Sequence, residues 1–383
     1  MIGNVPHLRF PEFIEEWEIC KVSELLDFYS TNSLSWEQLE YGEKAMMNLH
    51  YGLIHVGLPT MVDLRRDKLP NVKEGNMPKN FELCKEGDVA FADASEDTNE
   101  VAKAIEFFNL DNKDIVCGLH TIHGRDNKNK TVVGFKGYAF SSSAFHNQIR
   151  RIAQGTKIYS ISTKNFSECY VGIPSKAEQT KIATLLRLID ERIATQNKII
   201  EKLQSLIKGL AAQLTQSGTP NIRLCDCLEC HSSTLQENCV SVTGSYPVYG
   251  ATGLIGYTNN YAYNGESILI VKDGSGVGSL SYVNDHFSVI GTLNYLTAKE
   301  NYSILYLYYA LMAFNFTPYI TGMAIPHIYF KDYGKAKLFY PSIEKRIRIA
   351  SLLHNIEQKL VVEQNLVISL SAQKSYLLRM LFI

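Results

Sequence analysis

The residues with the clearest chemical potential form a cysteine-rich segment in the second half of the chain. Cys227-x-x-Cys230-His231 has the spacing of a c-type haem attachment site, and Cys225 and Cys239 lie nearby. Thiolate sulfur and imidazole nitrogen are also ligands that zinc prefers. The segment lacks a second Cys-x-x-Cys pair, and haem attachment of that kind requires export, of which the N-terminal residues give no signal. We therefore expect buried structural thiols here and no metal site.

Motifs for methyl transfer and hydrolysis are missing. A methyltransferase needs a glycine-rich cofactor loop and an Asn/Asp-Pro-Pro-Tyr/Phe tetrapeptide, and the chain has no such tetrapeptide. Its glycine cluster at 274–278 has neither the dinucleotide-binding spacing nor the Gly-Lys-Ser/Thr ending of a phosphate loop. The histidines are scattered, with no spacing diagnostic of a Ser/His/Asp site. The sequence therefore predicts a chain with no active site of its own.

An internal repeat with an offset of 167 residues predicts the elements that position the remaining polar residues. Residues 182–186 (IATLL) recur at 349–353 (IASLL), and Pro174 recurs as Pro341 without a gap. The period is far too long for a solenoid. It predicts a duplicated module, in which a globular head is followed by a helix.

Both helical segments carry residues spaced by seven over about five heptads, a pattern that imposes a supercoil. At 1.5 Å per residue, a segment of some 40 residues would form a rod of roughly 60 Å. We expect the two helices to pair with each other, antiparallel, through the residues of their seams: Ile182, Leu186, Ile189, Ile193, Gln196, Ile200 and Leu203 in the first, and Ile349, Leu353, Ile356, Leu360, Glu363, Val367 and Leu370 in the second.

Gln196 and Glu363 occupy the same heptad position in the two copies and are polar in otherwise apolar seams. A polar layer costs stability but fixes register and orientation. The alternative is that each helix packs on its own head. Mutual pairing is favoured because seams of this length exceed what one small domain can cover.

The two heads are expected to be mixed α/β domains. Residues 257–269 and 278–296 contain alternating or β-rich runs broken by Gly and Asn, which predict strands and turns. Residues 301–316 predict a packed helix. A looser match of 21–26 to 223–228 begins each copy. The predicted boundaries are 1–173 for the first head, 174–217 for its helix, 218–340 for the second head and 341–383 for its helix.

Composition limits the classes of function. The formal net charge is −1 with 20% charged residues, so DNA coating by charge alone is excluded, whereas a local cationic surface is not. No window holds about 18 uninterrupted apolar residues, and a membrane span is not expected. We expect a cytoplasmic protein whose eight cysteines are reduced.

Several segments, in this order, resemble one known family. Residues 8–13 (LRFPEF) look like its usual start, and residues 86–97 and 246–257 are similar to recurrent stretches of its recognition domains. Residues 174–186 and 341–353 look like its two repeated spacer regions. The layout resembles the specificity subunit of type I restriction-modification systems over essentially the whole chain.

That resemblance implies an α+β fold, in which two mixed α/β target-recognition domains are separated by two long antiparallel coiled-coil helices with pseudo-two-fold duplication. It implies a non-catalytic subunit that binds double-stranded DNA and docks methyltransferase and restriction/translocase subunits, with no membrane contact. S-adenosylmethionine, ATP and Mg²⁺ would be bound by the partners and none by this chain. Because the heads differ in length, the two half-sites should differ.

Residues 125–157 carry seven Lys or Arg against one Asp, which suggests a basic patch. Lysine and arginine hold phosphates, while Asn and Arg can pair with adenine and guanine edges. Asn294 and Arg125 are candidate base contacts, and a glycine precedes a strand-like run at both 155–159 and 322–326. The candidate DNA-binding residues are His120, Arg125, Lys128, Lys130, Arg150, Arg151, Lys157, Tyr159, Lys272, Ser275, Asn294, His327 and Lys331.

Two alternatives stay open at this point. One is a self-contained methyltransferase-nuclease, which the missing motifs count against. The other is a coiled-coil scaffold whose heads bind protein or glycan. Salt-dependent, sequence-preferring binding to duplex DNA in the presence of a methyltransferase partner would separate the scaffold from a specificity subunit.

Overall fold

The structure is a computed structural model that describes residues 3–42 and 46–383. It consists mainly of short strands and two long helices. The chain divides into two units, Met1–Gln196 with Leu366–Ile383, and Asn197–Asn365. Both long helices contribute residues to each unit. The four-segment division predicted from the sequence stays a prediction, since the units are cut through the helices rather than between heads and helices.

The first unit is built mainly from short strands. Its strands are β1 Glu18–Lys21, β2 Asp27–Tyr29, β3 Leu39–Glu40, β4 Met46–Leu49, β5 Met61–Asp63, β6 Asn71–Val72, β7 Val89–Ala92, β8 Ala94–Ser95, β9 Ala104–Asn109, β10 Asp114–Cys117, β11 Thr121–Arg125, β12 Tyr159–Ser160 and β13 Tyr170–Ile173. Its helices are α1 Val22–Leu25, α2 Tyr51–His55, α3 Lys136–Phe140, α4 Ser143–Ile152, α5 Thr163–Ser167 and the start of α6 Lys176–Thr215.

Two sheets organise this unit. One has the strand order β2-β11-β7-β9-β5 and the other β10-β4-β6-β3. The pairs β5–β9 and β4–β10 are parallel, and the other pairs in these two sheets are antiparallel. Buried Phe91, Phe140 and Phe166 form the centre of a core that also contains Ile182 and Leu186 of α6.

The second unit has its own strands and core. Its strands are β14 Ile222–Arg223, β15 Leu228–Ser232, β16 Tyr246–Gly250, β17 Gly253–Thr258, β18 Tyr263–Val271, β19 Leu280–Val289, β20 Leu293–Ala298 and β21 Lys337–Leu338. Its helices are α7 Leu224–Cys227, α8 Ile304–Met312, α9 Phe330–Tyr333 and the start of α10 Ile343–Met380. A six-stranded sheet has the order β15-β20-β18-β19-β16-β17. The helix predicted within 301–316 is confirmed by α8, which packs on this sheet.

Within each unit the long helices pair antiparallel. In the first unit, Lys374 of α10 forms an ion pair with Asp190 of α6 at 2.6 Å, and Leu377 and Leu381 join the core that contains Ile182. In the second unit, Ala211 of α6 shares a core with Ile349 and Leu353 of α10. The predicted pairing of the two helices is therefore confirmed in both units. Every predicted seam residue is buried or half-buried.

The duplication predicted from the sequence is repeated in the backbone. Helices α6 and α10 begin at Lys176 and Ile343, which are 167 residues apart. Lys21 and Arg223, matched at the start of each copy, both end a strand and precede a one-turn helix. Shared local sequence signals therefore produce the same local structure twice.

A carboxylate on each long helix fastens a head to it. Asp190 accepts a hydrogen bond from the Tyr138 hydroxyl at 2.9 Å. Glu357, 167 residues later, accepts from the hydroxyls of Tyr308 and Tyr309 at 2.8 and 2.6 Å. Burial raises the pKa of each of these phenols, so each hydroxyl keeps its proton and donates.

Gln196, 2% exposed, places Oε1 in the helix seam with no hydrogen-bond partner among the described residues. We expect Gln196→Leu to raise the free energy of unfolding by about 1 kcal/mol, because it removes an unsatisfied buried acceptor. Urea denaturation would measure the change, with Gln213→Leu at an exposed position of α6 as a control that stays near neutral. A loss of stability would mean that the Gln196 amide contributes more than its unpaired oxygen costs.

In the described residues, no helix combines the length and apolarity needed to cross a membrane.

Candidate functional site

Gly155 and Gly322 each open a short exposed loop of the same construction. The first loop, 155–159, is closed by Gln154 and Ser160, whose backbones exchange hydrogen bonds of 3.0 and 2.8 Å. The second loop, 322–326, is closed by Thr321 and His327 with bonds of 2.9 and 2.8 Å. We call this pair the twin loops. Each closing residue lies 167 positions from its counterpart, so the repeat builds the same loop in both units.

Both loops require glycine at their first residue. Gly155 has φ +136° and Gly322 φ +90°, and a Cβ at either position would collide with the carbonyl oxygen of the residue three places on. Both loops expose apolar side chains: Ile158 is 62% exposed, Met323 is fully exposed and Ile325 is 65% exposed. These apolar tips were not predicted, because β-branched and aliphatic residues in a strand-like run are usually buried.

The first loop borders a cleft of about 650 Å³ lined by Tyr51, His55, His120, Ile158 and an acidic edge that includes Glu96. His120 is exposed, adopts φ +55° and lies 3.1 Å from Asp93 through Nδ1. The cleft offers aromatic rings, imidazoles and carboxylates, which suit hydrogen bonding to a polar ligand edge. Tyr51 and His55 were not predicted, since the one-turn helix that carries them gave no motif.

Arg150, Arg151, Lys157 and Tyr159 lie in the segment that runs from the last turn of α4 to β12. Lys157 is an exposed residue of the first loop, and Tyr159 is half-buried where β12 pairs with β8. Arg150 and Arg151 are exposed in the last turn of α4. Arg150 Nη1 donates to Asn99 Oδ1 at 2.8 Å.

The second loop is joined to the glycine cluster. Gly274 N donates to Pro326 O at 2.9 Å, and Ile328 N donates to Lys272 O at 2.9 Å. Lys272 and His327 are half-buried and Ser275 is exposed, all beside this junction. Exposed Lys331 places Nζ 5.0 Å from the ring centre of Tyr329, which itself lies 5.0 Å from the ring of His327. These side chains therefore form one cluster at the second loop.

Asn294 is 6% exposed in β20, where it pairs with Ile270, two residues from Lys272. Its Oδ1 accepts a hydrogen bond from Ser232 Oγ at 3.0 Å. The role of Asn294 as a base contact stays a prediction, and its burial makes it a weaker candidate than the residues of the second loop.

Arg125 is buried in an ionic network at the far end of β11 from His120. Its Nε and Nη2 donate to Asp88 at 2.8 Å each, Nη2 also donates to Leu83 O, and Nη1 donates to Glu82 at 2.6 Å. Hydrogen bonding to Asp88 raises the pKa of Arg125. Because four of its five N–H groups are engaged, the geometry favours a structural role, and the base contact remains untested.

The basic stretch 125–157 does not form the single patch that was predicted. Lys128 Nζ donates to Glu24 O at 2.7 Å and Lys130 Nζ contacts Glu18 at 2.6 Å, so both lie against the β1–α1 segment. Lys136 is buried against Glu106 at 3.2 Å. Strand pairing and burial separate residues that are neighbours in sequence.

Residues 118–121 and 291–294 look alike in sequence, beginning at Gly118 and Gly291, but the backbone contacts shift their correspondence by one residue. Asp93 N donates to His120 O at 3.1 Å, and Lys272 N donates to Thr292 O at 3.0 Å. His120 therefore corresponds to Thr292, whereas the sequence comparison paired it with Leu293.

The cysteines 225, 227, 230 and 239 differ in burial. Cys227 is buried and donates to the carbonyl oxygens of Arg223 and Leu224 at 3.4 Å. Burial raises the pKa of Cys227 to about 12 and that of Cys230 to about 11, which disfavours the thiolates that zinc binds. Cys225 and Cys230 are half-buried and Cys239 is exposed, so the expectation of buried thiols is right for Cys227 and wrong for Cys239.

Comparison with known proteins agrees with this duplicated architecture. A family model described as "Type I restriction modification DNA specificity domain" matches residues 67–205 and 222–370, more than half of the chain. The Escherichia coli "Type I restriction enzyme EcoprrI specificity subunit" is 28% identical over 112 residues, which are 29% of this chain and 28% of that protein. The Mycoplasma pneumoniae "Putative type I specificity subunit S.MpnORF285P" is 30% identical over 138 residues, or 34% and 43% of the two chains. The alignments thus span less than half the length of these relatives.

Solved structures share the fold over nearly the full length. The type I restriction-modification S subunit from M. genitalium matches with a TM-score of 0.65 and 18% identity, covering 99% of both chains. A structure described as "Structural basis underlying complex assembly and conformational transition of the type I R-M system" matches with a TM-score of 0.55 and 15% identity, covering 97% of this chain and 98% of that one. Two matched domains and two units with the same loop and helix geometry have one common explanation: the chain belongs to the type I restriction-modification DNA specificity family, whose specificity subunits recognise DNA sequence and are non-catalytic.

Proposed function

We propose that this chain reads a bipartite, asymmetric duplex DNA target, one half-site per head, and docks the methyltransferase subunits of a type I complex and, through them, its restriction subunits. The observation that carries the proposal is the pair of twin loops, which places the same exposed loop in both units of a chain from a DNA specificity family. S-adenosylmethionine, ATP and Mg²⁺ would then be bound by the partner subunits.

The surroundings of the loops suit DNA contact in two ways. Exposed Lys157 and Lys331 can bind phosphates, which gives affinity and fixes register without sequence information. His120 at the first cleft and His327 at the second loop can hydrogen-bond base edges in the major groove. The apolar tips can contact thymine methyl groups or insert between base steps.

The two half-sites should differ because the two reading surfaces differ. The first loop carries Lys157 next to Ile158, whereas the second carries Met323 and Ile325. The first loop borders a cleft with a carboxylate edge, and the second borders the Lys272 and Lys331 cluster. Different donors, acceptors and apolar groups discriminate between different base pairs.

Partner docking is supported by apolar side chains that the long helices leave exposed. Scattered exposed apolar residues are common on monomers, but a concentration of them on two helices is typical of an interaction surface. Those exposed by more than two fifths are Leu188, Leu206, Ile343, Ile347, Leu352, Val361, Val362, Ile368 and Tyr376.

The deciding experiment is to map methylated adenines in a host genome that encodes the methyltransferase partner, with and without this gene. We expect methylation at one two-part sequence that depends on the gene. An unchanged methylation pattern, together with DNA binding that shows no sequence preference, would favour a scaffold whose heads bind protein or glycan.

We expect Lys157→Ala and Lys331→Ala each to weaken DNA binding about equally on all sequences and to reduce the slope of log K against log salt by about 1, since each would remove one phosphate contact. The slope can be measured by fluorescence anisotropy on the assembled methyltransferase. Lys198→Ala, at an exposed position of α6, is the matched control and should leave the slope unchanged. If all three substitutions reduced the slope equally, Lys157 and Lys331 would not be specific phosphate contacts.

A further inference from the structure

Three buried side chains of the first unit bring together atoms that transition metals bind. Cys84, Cys117 and His123 are 5%, 2% and 0% exposed, and one candidate ligand atom from each lies within 4.8 Å of the other two. The two Sγ atoms are 3.6 Å apart. No sequence spacing predicted this group, because its members are contributed by separate segments.

The backbone holds the three residues in place. Cys117 is the last residue of β10, and Cys84 N donates to Ile115 O at 2.8 Å in the neighbouring segment. His123 is in the middle of β11, between Tyr29 and Ala90 on the adjacent strands. The group therefore lies where the sheet that contains β10 meets the sheet that contains β11.

His123 is oriented as metal-binding histidines usually are. Its Nε2 lies 2.7 Å from Asp88 Oδ2, and Asp88 also accepts from Arg125 and from Lys85 N. A carboxylate on one ring nitrogen fixes the tautomer and makes the other nitrogen a better ligand. Nδ1 is fully buried and has no hydrogen-bond partner among the described residues.

The geometry and charge of the pair of thiols fit a shared metal ion. Two thiolates bound to one tetrahedral zinc at about 2.3 Å have their sulfurs roughly 3.8 Å apart, close to the separation found here. Two thiolates neutralise a divalent cation, and Arg125 balances Asp88.

We propose that Cys84, Cys117 and Nδ1 of His123 form a structural site for Zn²⁺ that fastens β10 to β11 in the first head. With three protein ligands, the fourth position of a tetrahedral ion takes water or another small ligand. The role of the site is to hold together the two sheets of this head.

The wild-type chain tests the proposal directly. Full-length protein prepared without chelators should contain about one zinc per chain by mass spectrometry of metals. Exchange of that zinc for Co²⁺ should produce thiolate-to-cobalt charge-transfer absorption. The proposal is wrong if folded protein contains only background zinc and shows no such absorption after Co²⁺ is added. A disulfide between Cys84 and Cys117, detected by thiol counting and intact mass, would also overturn it.

Matched variants locate the ligands. The Cys84→Ser/Cys117→Ser chain should lose the zinc and the cobalt absorption, whereas Cys20→Ser/Cys169→Ser, at two other buried cysteines of this unit, should keep both. Added Zn²⁺ should raise the Tm of metal-stripped wild-type protein and of the control, because it binds only the folded state. If the Cys84 and Cys117 variant does not fold, His123→Gln serves as the second test. Retained zinc in either variant would contradict the assignment.

Discussion

Glu106→Gln should lower the free energy of unfolding of the first unit by about 3–5 kcal/mol, the cost of leaving one partner of a buried ion pair without the other. Glu106 and Lys136 are 0% and 3% exposed and lie 3.2 Å apart. Glu106 also accepts from the backbone N–H groups of Gly134 and Gly137 at 2.9 and 2.8 Å. Glutamine would leave the Lys136 ammonium without its counter-charge and could present an amide N–H to one of these donors.

The reason for the size of this effect is burial. Burial raises the pKa of Glu106 in spite of the nearby Lys136 charge, which indicates that desolvation of the carboxylate is costly. The intact pair is therefore a modest contributor, whereas the broken pair is strongly destabilising. Because Glu106 holds the N–H groups at the start of α3, its loss should also weaken the Tyr138–Asp190 contact with α6.

Urea denaturation would measure the loss of stability, and hydrogen exchange would show whether that loss lies in the first unit. Glu100→Gln, which breaks the partly exposed pair with Lys103 at 2.7 Å, is the control and should cost under about 1 kcal/mol. Glu106→Gln/Lys136→Met should lose less than Glu106→Gln, since no charge remains buried and the glutamine oxygen can still accept from Gly134 or Gly137. A similar loss in the double variant would show that packing rather than charge is responsible.

The duplication and the helices could be predicted because their signals are local. Heptad spacing and the prolines at 174 and 341 place α6 and α10 within two residues of their observed starts. The repeat also identified Gly155 and Gly322, which the twin loops require. Such features depend on residues that are close together in sequence, so a single sequence is enough to predict them.

The candidate site was harder to predict because it depends on strand pairing. Arg125 and Lys136 are basic residues that a sequence places at the surface, yet strands β7 and β9 bring Asp88 and Glu106 against them in the interior. Asn294 is buried for the same reason, by pairing of β20 with its neighbours. Long-range carboxylate partners leave no local pattern in sequence.

Exchange of the first head should change one half of the methylated sequence and leave the other half intact. The twin loops are built entirely within their own units, and each unit has its own core. If each head reads one half-site, the identity of that half-site should move with the head. Mapping of methylated adenines in cells that make the chimera and its methyltransferase partner would show the new target.

The junctions of that chimera follow from the packing of the first unit. Phe382, which follows α10, packs edge-on against Trp17 with ring centres 6.3 Å apart, and its ring centre lies 5.9 Å from that of Phe135. The donor should therefore supply residues equivalent to both 1–173 and 366–383, so that these ring contacts are retained and a failure to fold is avoided. The reciprocal chimera, with 218–340 exchanged, should change only the opposite half-site. If either exchange alters both half-sites, the heads do not read DNA independently, and the modular basis of the proposed function is lost.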